Sequence, residues 1–363
     1  MRVALVLGSG GARGYAHIGV IQVLREHGHE IVAVSGSSMG AMVGGLHAAG
    51  GLDEFTDWVT GLKQRNVLLL LDPVLGGPGV IRAERALSKV SAILGGVLIE
   101  DLPIPYVAVA TDLEARREVW FRRGPVDAAV RASIAIPGVI TPAMLGTRML
   151  VDGGLLNPVP VDPLLGIDAD LTLAVSLNGP RGGTGLPMEG EAPAHGGQVW
   201  RTWLRKDAFT ELERWSQRWR SRRGEGGAPS AGSADEALGT AHPDDELHVE
   251  EAVEFRDAEG PVGIVPQLPQ RELFSVPESP GIRNVADVFT LSLEAVESMV
   301  GRYRMASSPP DVHIEVAADS CGTLDFHRAP EMIELGRRLA EDALRRGGRL
   351  RRPDPEHGGV SSG

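Results

Sequence analysis

The sequence predicts a three-layer α/β/α fold, with helices packed on both faces of a mostly parallel central sheet. Three observations predict it. Residues 2–7, 30–35, 105–111 and 171–177 are short runs made almost wholly of apolar residues, as expected of strands buried on both faces. Segments with helical spacing separate them. The first two runs pass into glycine-containing turns that open a helix, the strand, turn, helix order from which parallel sheets are built.

Arg2–Leu7 is the first strand and ends at Gly8. Tyr15–His27 follows with Ile18, Ile21 and Leu24 at helical spacing. Glu30–Ser35 is the second strand, and Met39–Ala49 is a helix of small residues stopped by Gly50-Gly51. Pro105–Thr111 and Leu171–Leu177 continue the sheet. From about Asn178 to Ile282 the composition turns to Gly, Pro, Ser and charge, which marks an insertion. Regular structure is expected again at Val285–Arg304, where Val288, Leu291, Ala295, Val296 and Met299 mark a helix face. A strand at Val312–Val316 and a closing helix at Pro330–Arg346 complete the pattern. The expected organisation is a core in two parts, 1–178 and 283–346. A partly disordered insertion at 179–282 interrupts it, and a flexible tail at 347–363 follows.

The net charge of -12 over 363 residues excludes holding nucleic acid as a main task, because phosphate binding wants a broad basic face. The single cysteine, Cys321, excludes an internal disulfide framework and reads as a core thiol in a reducing compartment. The apolar run ending at Leu7 is too brief for a signal peptide. No stretch approaches the roughly 20 apolar residues that cross a bilayer, and Val67–Leu71 stops at Asp72. The expected location is the cytoplasm, with any membrane contact peripheral. No cysteine or histidine spacing suggests zinc, and no ligand cluster calls for a metal or organic cofactor.

Gly36-Ser37-Ser38-Met39-Gly40 matches G-x-S-x-G, and it follows a strand and opens a helix, the context that gives this motif meaning. The chain reverses so tightly there that a β-carbon at Gly36 or Gly40 would collide, leaving Ser38 exposed at a helix N-terminus. The dipole of that helix favours developing negative charge. Taken alone, such small residues equally describe a close-packed strand-to-helix turn. Gly8-Ser9-Gly10-Gly11-Ala12-Arg13-Gly14 adds a loop whose N–H groups could converge on one anion, as an oxyanion hole requires. The loop also comes within one residue of a dinucleotide fingerprint. Counted from Gly8, Arg13 replaces the third glycine, and Glu30 is a poor candidate for the acidic residue that would hold a ribose. A serine nucleophile needs a base within hydrogen-bond reach. Asp152-Gly153-Gly154 offers a carboxylate on a sharp turn, although Asp-Gly-Gly by itself is usually just a turn.

Taken in order, the loop with Ala12-Arg13-Gly14 and Tyr15-Ala16-His17-Ile18-Gly19, then Gly36-Ser37-Ser38-Met39-Gly40, then Asp152-Gly153-Gly154 resemble the patatin-like phospholipases. Ala110-Thr111-Asp112-Leu113, the run from Arg131 to Gly138 and Met332-Ile333-Glu334-Leu335-Gly336 resemble the bacterial branch related to neuropathy target esterase. The resemblance covers about residues 1–178 and 283–345. It implies a Ser-Asp dyad rather than a Ser-His-Asp triad, with Ser38 as nucleophile, Asp152 as base and fatty-acyl esters as substrates. It also implies Gly10, Gly11, Ala12 and Arg13 as the oxyanion loop, with Arg13 fixing its shape or adding positive charge. Ser9 stands where the family often has the first of three glycines, which touches loop geometry more than catalysis. For a triad, His242, His248, His313 and His327 follow the acid in the chain; His242 and His248, in the insertion, and His17, on a helix face, read more readily as solvated or structural.

Trp200, Trp203, Trp215 and Trp219 lie within residues 198–223 with Leu204, Ala208 and Leu212 at helical spacing, amid eight Arg and Lys residues. An amphipathic helix of this composition suits an anionic bilayer, and suits equally packing of its stripe on the core or on a partner subunit. The acidic stretch 244–259 reads as solvated linker. The expected activity is that of a serine acyl-hydrolase on lipid or acyl-ester substrates, without nucleic-acid partners. A catalytically silent lipid-binding protein on the same fold and a nucleotide-dependent enzyme are the alternatives.

Overall fold

The computed structural model describes residues 1–70, 79–181, 254–255, 263–264 and 285–346. The expected tryptophan helix near 198–223 and the tail at 347–363 lie outside them. In order, the elements up to residue 94 are β1 (Arg2–Leu7), α1 (Ala16–Glu26), β2 (Glu30–Ser37), α2 (Met39–Ala48), α3 (Leu52–Thr60), α4 (Gln64–Leu70), β3 (Gly79–Ile81) and α5 (Glu84–Leu94). Then come β4 (Tyr106–Asp112), β5 (Arg117–Phe121), α6 (Val126–Ser133), β6 (Gly138–Ile140), β7 (Ala143–Leu145), β8 (Arg148–Asp152) and β9 (Leu171–Gly179). The last are β10 (Glu254–Phe255), β11 (Gly263–Ile264), α7 (Val285–Ser307), β12 (Val312–Ala317) and α8 (Ala329–Arg346).

The chain divides into two compact units, Arg218–Val288 and the remainder. In the smaller, β10 and β11 pair antiparallel, so Glu254 and Phe255, within the stretch read as linker, belong to a short ribbon. In the larger, β12, β9, β1, β2 and β4 lie side by side and parallel. Alternate residues of β1 feed two cores. Val3, Leu5 and Leu7 pack with α1, α2 and α8, while Ala4 and Val6 pack with Val159, Val161, Leu164 and Met305 of α7. Burial on both faces is what an all-apolar strand signals, and it makes the fold three-layered.

The far edge of the sheet is antiparallel. β5 pairs with Ala108–Asp112 of β4 along one side. The other side is shared: β2 pairs with Tyr106–Val109, and β8, running the opposite way, pairs with Ala110–Asp112. The C-terminal ends of β2 and β8 therefore meet head to head beside β4. That meeting brings residue 38 to residue 152.

Candidate active site

Ser38 sits between β2 and α2 with φ 55° and ψ -123°, a conformation that L-residues adopt at a cost of order 1–3 kcal/mol. The surroundings enforce it. A β-carbon on Gly40 would lie 2.0 Å from the Leu7 carbonyl oxygen, and one on Gly36 would lie 2.4 Å from the carbonyl of Gly40. Neither position admits any other residue, so the reversal expected of the motif is present. Ser38 is 4% exposed, whereas the sequence places it at the surface. Helices α3, α4 and α5 and residues 134–140 cover it around an apolar cavity of about 90 Å³, whose walls include Met42, Phe55, Trp58, Val90 and Ile136.

The Ser38 hydroxyl donates to Asp152 Oδ2 at 2.5 Å, and the Gly154 N–H donates to Asp152 Oδ1 at 2.7 Å. Asp152 is buried, and burial pushes its carboxyl up to about 7 against the opposing pull of the bonds from Ser38 and Gly154. The two glycines after it serve close approach. A β-carbon at Gly153 would stand 2.1 Å from the Val109 carbonyl oxygen, and one at Gly154 would stand 2.6 Å from Ser9 Oγ. Ser9 is buried against this turn, which is how the loop accommodates it in place of glycine.

The sequence assigned no role to Ser133, although its neighbours carry the family resemblance. Its hydroxyl accepts from the Ser38 N–H at 2.8 Å and donates to the Val109 carbonyl at 2.6 Å, so it holds the strained turn to β4.

The glycine loop departs from the expected set of oxyanion donors at Ala12. The Ala12 N–H donates to the Thr323 carbonyl at 2.9 Å and is not free for a substrate oxygen. The Arg13 side chain leaves the cavity and donates to Ala318 O at 2.7 Å, Asn178 Oδ1 at 3.1 Å and Glu294 Oε1 at 3.2 Å. Of the two roles expected of Arg13, this geometry fits shaping the loop rather than adding charge to the cavity. Gly11 lines the cavity with Ser38, at φ 57°. Among the described residues, no protein acceptor takes the N–H of Gly10 or Gly11. His17 is buried with Nε2 at 2.9 Å from the Gly8 carbonyl; burial lowers its pKa to about 4, so it is neutral and donates, bracing the loop from behind. Among the described residues no histidine bonds to Ser38 or Asp152. Cys321 is buried, and its thiol is pushed up to about 12.

This fold and site define a class: a three-layer α/β protein with a serine at a strand-to-helix elbow, a buried aspartate as its partner and a glycine loop beside both. A family model described as patatin-like phospholipase matches residues 5–165. An NTE family protein of Mycobacterium tuberculosis is 46% identical over 357 residues, 94% of this chain and 91% of its own length. Patatin-like phospholipase domain-containing protein 7 of Mus musculus is 32% identical over 213 residues, 55% of this chain and 15% of its own length. VipD from Legionella pneumophila, in its crystal structure, overlays with a TM-score of 0.36 at 13% identity, over 94% of this chain and 67% of that chain. The chain belongs to the patatin-like phospholipases, among the NTE family members, a family of lipid acyl hydrolases. No helix among the described residues is long and apolar enough to cross a membrane.

Proposed function

We propose that the protein is a serine acyl-hydrolase that cleaves fatty-acyl esters, as a phospholipase, lysophospholipase or esterase, through a Ser38–Asp152 dyad. The observation that carries this reading is the 2.5 Å hydrogen bond from Ser38 to a buried aspartate at the mouth of an apolar cavity. The acyl chain lies among Met42, Phe55 and Val90, and the ester carbonyl sits over Ser38 Oγ with its oxygen toward the N–H groups of Gly10 and Gly11.

Ser38 Oγ attacks the carbonyl carbon as its proton passes to Asp152 Oδ2, and the oxyanion takes the loop N–H bonds. The intermediate collapses, the C–O bond to the alcohol breaks, and Asp152 returns its proton to the leaving alcohol. Water then attacks acyl-Ser38, losing a proton to Asp152. Ser38 leaves with that proton and the fatty acid is released. A carboxyl held near 7 suits a group that must accept and return a proton at neutral pH. The nucleotide alternative gains nothing from the site: its walls are apolar, and the Arg13 guanidinium that could meet a phosphate is tied to Ala318, Asn178 and Glu294.

The test compares the protein with Ser38→Ala and Asp152→Asn on a short-chain chromogenic ester and on phospholipid and lysophospholipid vesicles, following fatty-acid release. Loss of about 10⁴-fold or more in the first variant and about 10²- to 10⁴-fold in the second, with the fold retained, is the expected result. Activity surviving Ser38→Ala would place the nucleophile elsewhere. No hydrolysis of any ester by the intact protein would favour a silent lipid-binding role.

A further inference from the structure

One face of α7 runs across the back of the site. Glu294 accepts from Arg13 and from Thr323 Oγ1, each at 3.2 Å, and Thr323 is the residue whose carbonyl holds the Ala12 N–H. One turn on, Glu297 accepts from Asn178 Nδ2 at 3.2 Å, while Asn178 Oδ1 takes the Arg13 bond. A further turn on, Gly301 packs against Pro158, whose carbonyl accepts the Ser9 N–H. Glu294 thus reaches the glycine loop directly through Arg13, and Glu297 reaches it through Asn178. Asn178 also follows Leu177, against whose side chain Gly10 is packed.

Glu297 therefore stands behind the loop, bonded to the residue that also holds Arg13, and the charge of Asp152 reaches it. We propose that Glu297 is a positioning residue of the same site, a carboxylic acid that works in its neutral form, holding Asn178 at the end of β9, which in turn bonds Arg13 of the loop, while withholding a second negative charge from the oxyanion. This rests on the hydrolase reading above. The charged groups that face it are Asp152 from β8, Arg13 from the loop and Glu294 from its own helix; Asn178 faces it from β9. Burial pushes its carboxyl up to about 8, with the Asp152 charge adding to the effect and the Asn178 bond and Arg13 opposing it. The charge of Asp152 thus favours the neutral form of Glu297. Once it ionises, its charge lies on the loop side, where it weakens the donors and opposes the forming oxyanion.

The test has two arms. In the kinetic arm, kcat/KM of the intact protein falls on the alkaline side, by on the order of tenfold from pH 7.5 to 9.5, and Glu297→Gln abolishes that fall. The same alkaline fall in Glu297→Gln overturns the proposal. The second arm follows carboxyl carbon signals of the free protein against pH, without turnover. The expected result is a glutamate titrating near 8 that vanishes in Glu297→Gln and moves to lower pH in Asp152→Asn, where the neighbouring charge is gone. A signal that persists in the first variant or stays in place in the second overturns it. If no ester is hydrolysed, the hydrolase reading fails, and this arm still decides whether the two carboxyls act as a pair.

Discussion

Asp152 meets two opposing demands. Burial among β4, β8 and the glycine loop favours its neutral form, whereas the bonds from Ser38 and Gly154 favour its charge, and burial wins. Its folded pKa of about 7 thus stands above the ordinary carboxylate value. The sign for stability follows: below about pH 4 the group is protonated in both states, and its contribution to folding is complete. As pH rises from about 4 through 7 the unfolded chain releases the proton first and stability falls, levelling above 7. Asp152→Asn, which never ionises, removes this loss. We expect its melting temperature to exceed that of the parent protein by more at pH 8 than at pH 4, a difference worth a few kcal/mol. Parallel pH dependence in the two proteins would show that Asp152 titrates normally. The candidate nucleophile and base were legible because Ser38 and Asp152 stand in short motifs at strand ends. Ser133, Asn178 and Glu297 were not, because each acts through hydrogen bonds that reach across as many as 95, 165 and 119 residues of separation respectively.

At the scale of elements, the crossing of α1 and α8 joins the end of the chain to its beginning. A β-carbon on Gly19 would lie 2.0 Å from the Ile333 carbonyl oxygen, and one on Gly336 would lie 2.0 Å from that of Ala16. Backbone meets backbone there, so no side chain can swing aside. Glycine inside a helix costs about 1 kcal/mol relative to alanine, and close approach is what makes it worthwhile here. Gly336→Ala should therefore destabilise by about 2–4 kcal/mol despite its better helix propensity, read as a lowered midpoint in urea with an unchanged slope. A raised midpoint would mean that the helices sit further apart. Both helices were legible from their apolar spacing, and Ile333 and Gly336 lie in the segment that resembles the family. The antiparallel edge was not: β7 and β8 are three and five residues long, too short to alternate visibly, and nothing local tells β8 to enter the lane that β2 leaves.

Over the whole molecule, the parallel strands supply the glycine loop, Ser38 and Asn178 at their C-terminal ends, as open α/β sheets do. The antiparallel edge supplies Asp152 from the opposite direction, and α3 to α5 roof the meeting point with apolar side chains. On the proposed hydrolase reading, with the acyl chain under this roof, its apolar walls would respond to chain length rather than head group. Ala86 of α5 is a small, half-buried residue in that wall. Ala86→Phe should occupy the space of three or four methylenes while leaving the Ser38–Asp152 bond untouched. At about 0.8 kcal/mol per buried methylene, the lost contact approaches 3 kcal/mol, or about a hundredfold. The measurement is kcat/KM across a series of p-nitrophenyl esters from two to sixteen carbons. Long-chain esters should lose about that factor relative to short ones in the variant, because the acetyl group does not reach α5. A uniform loss at every length would mean that the substitution disturbed the dyad, and an unchanged series would mean that the acyl chain leaves the site by another route.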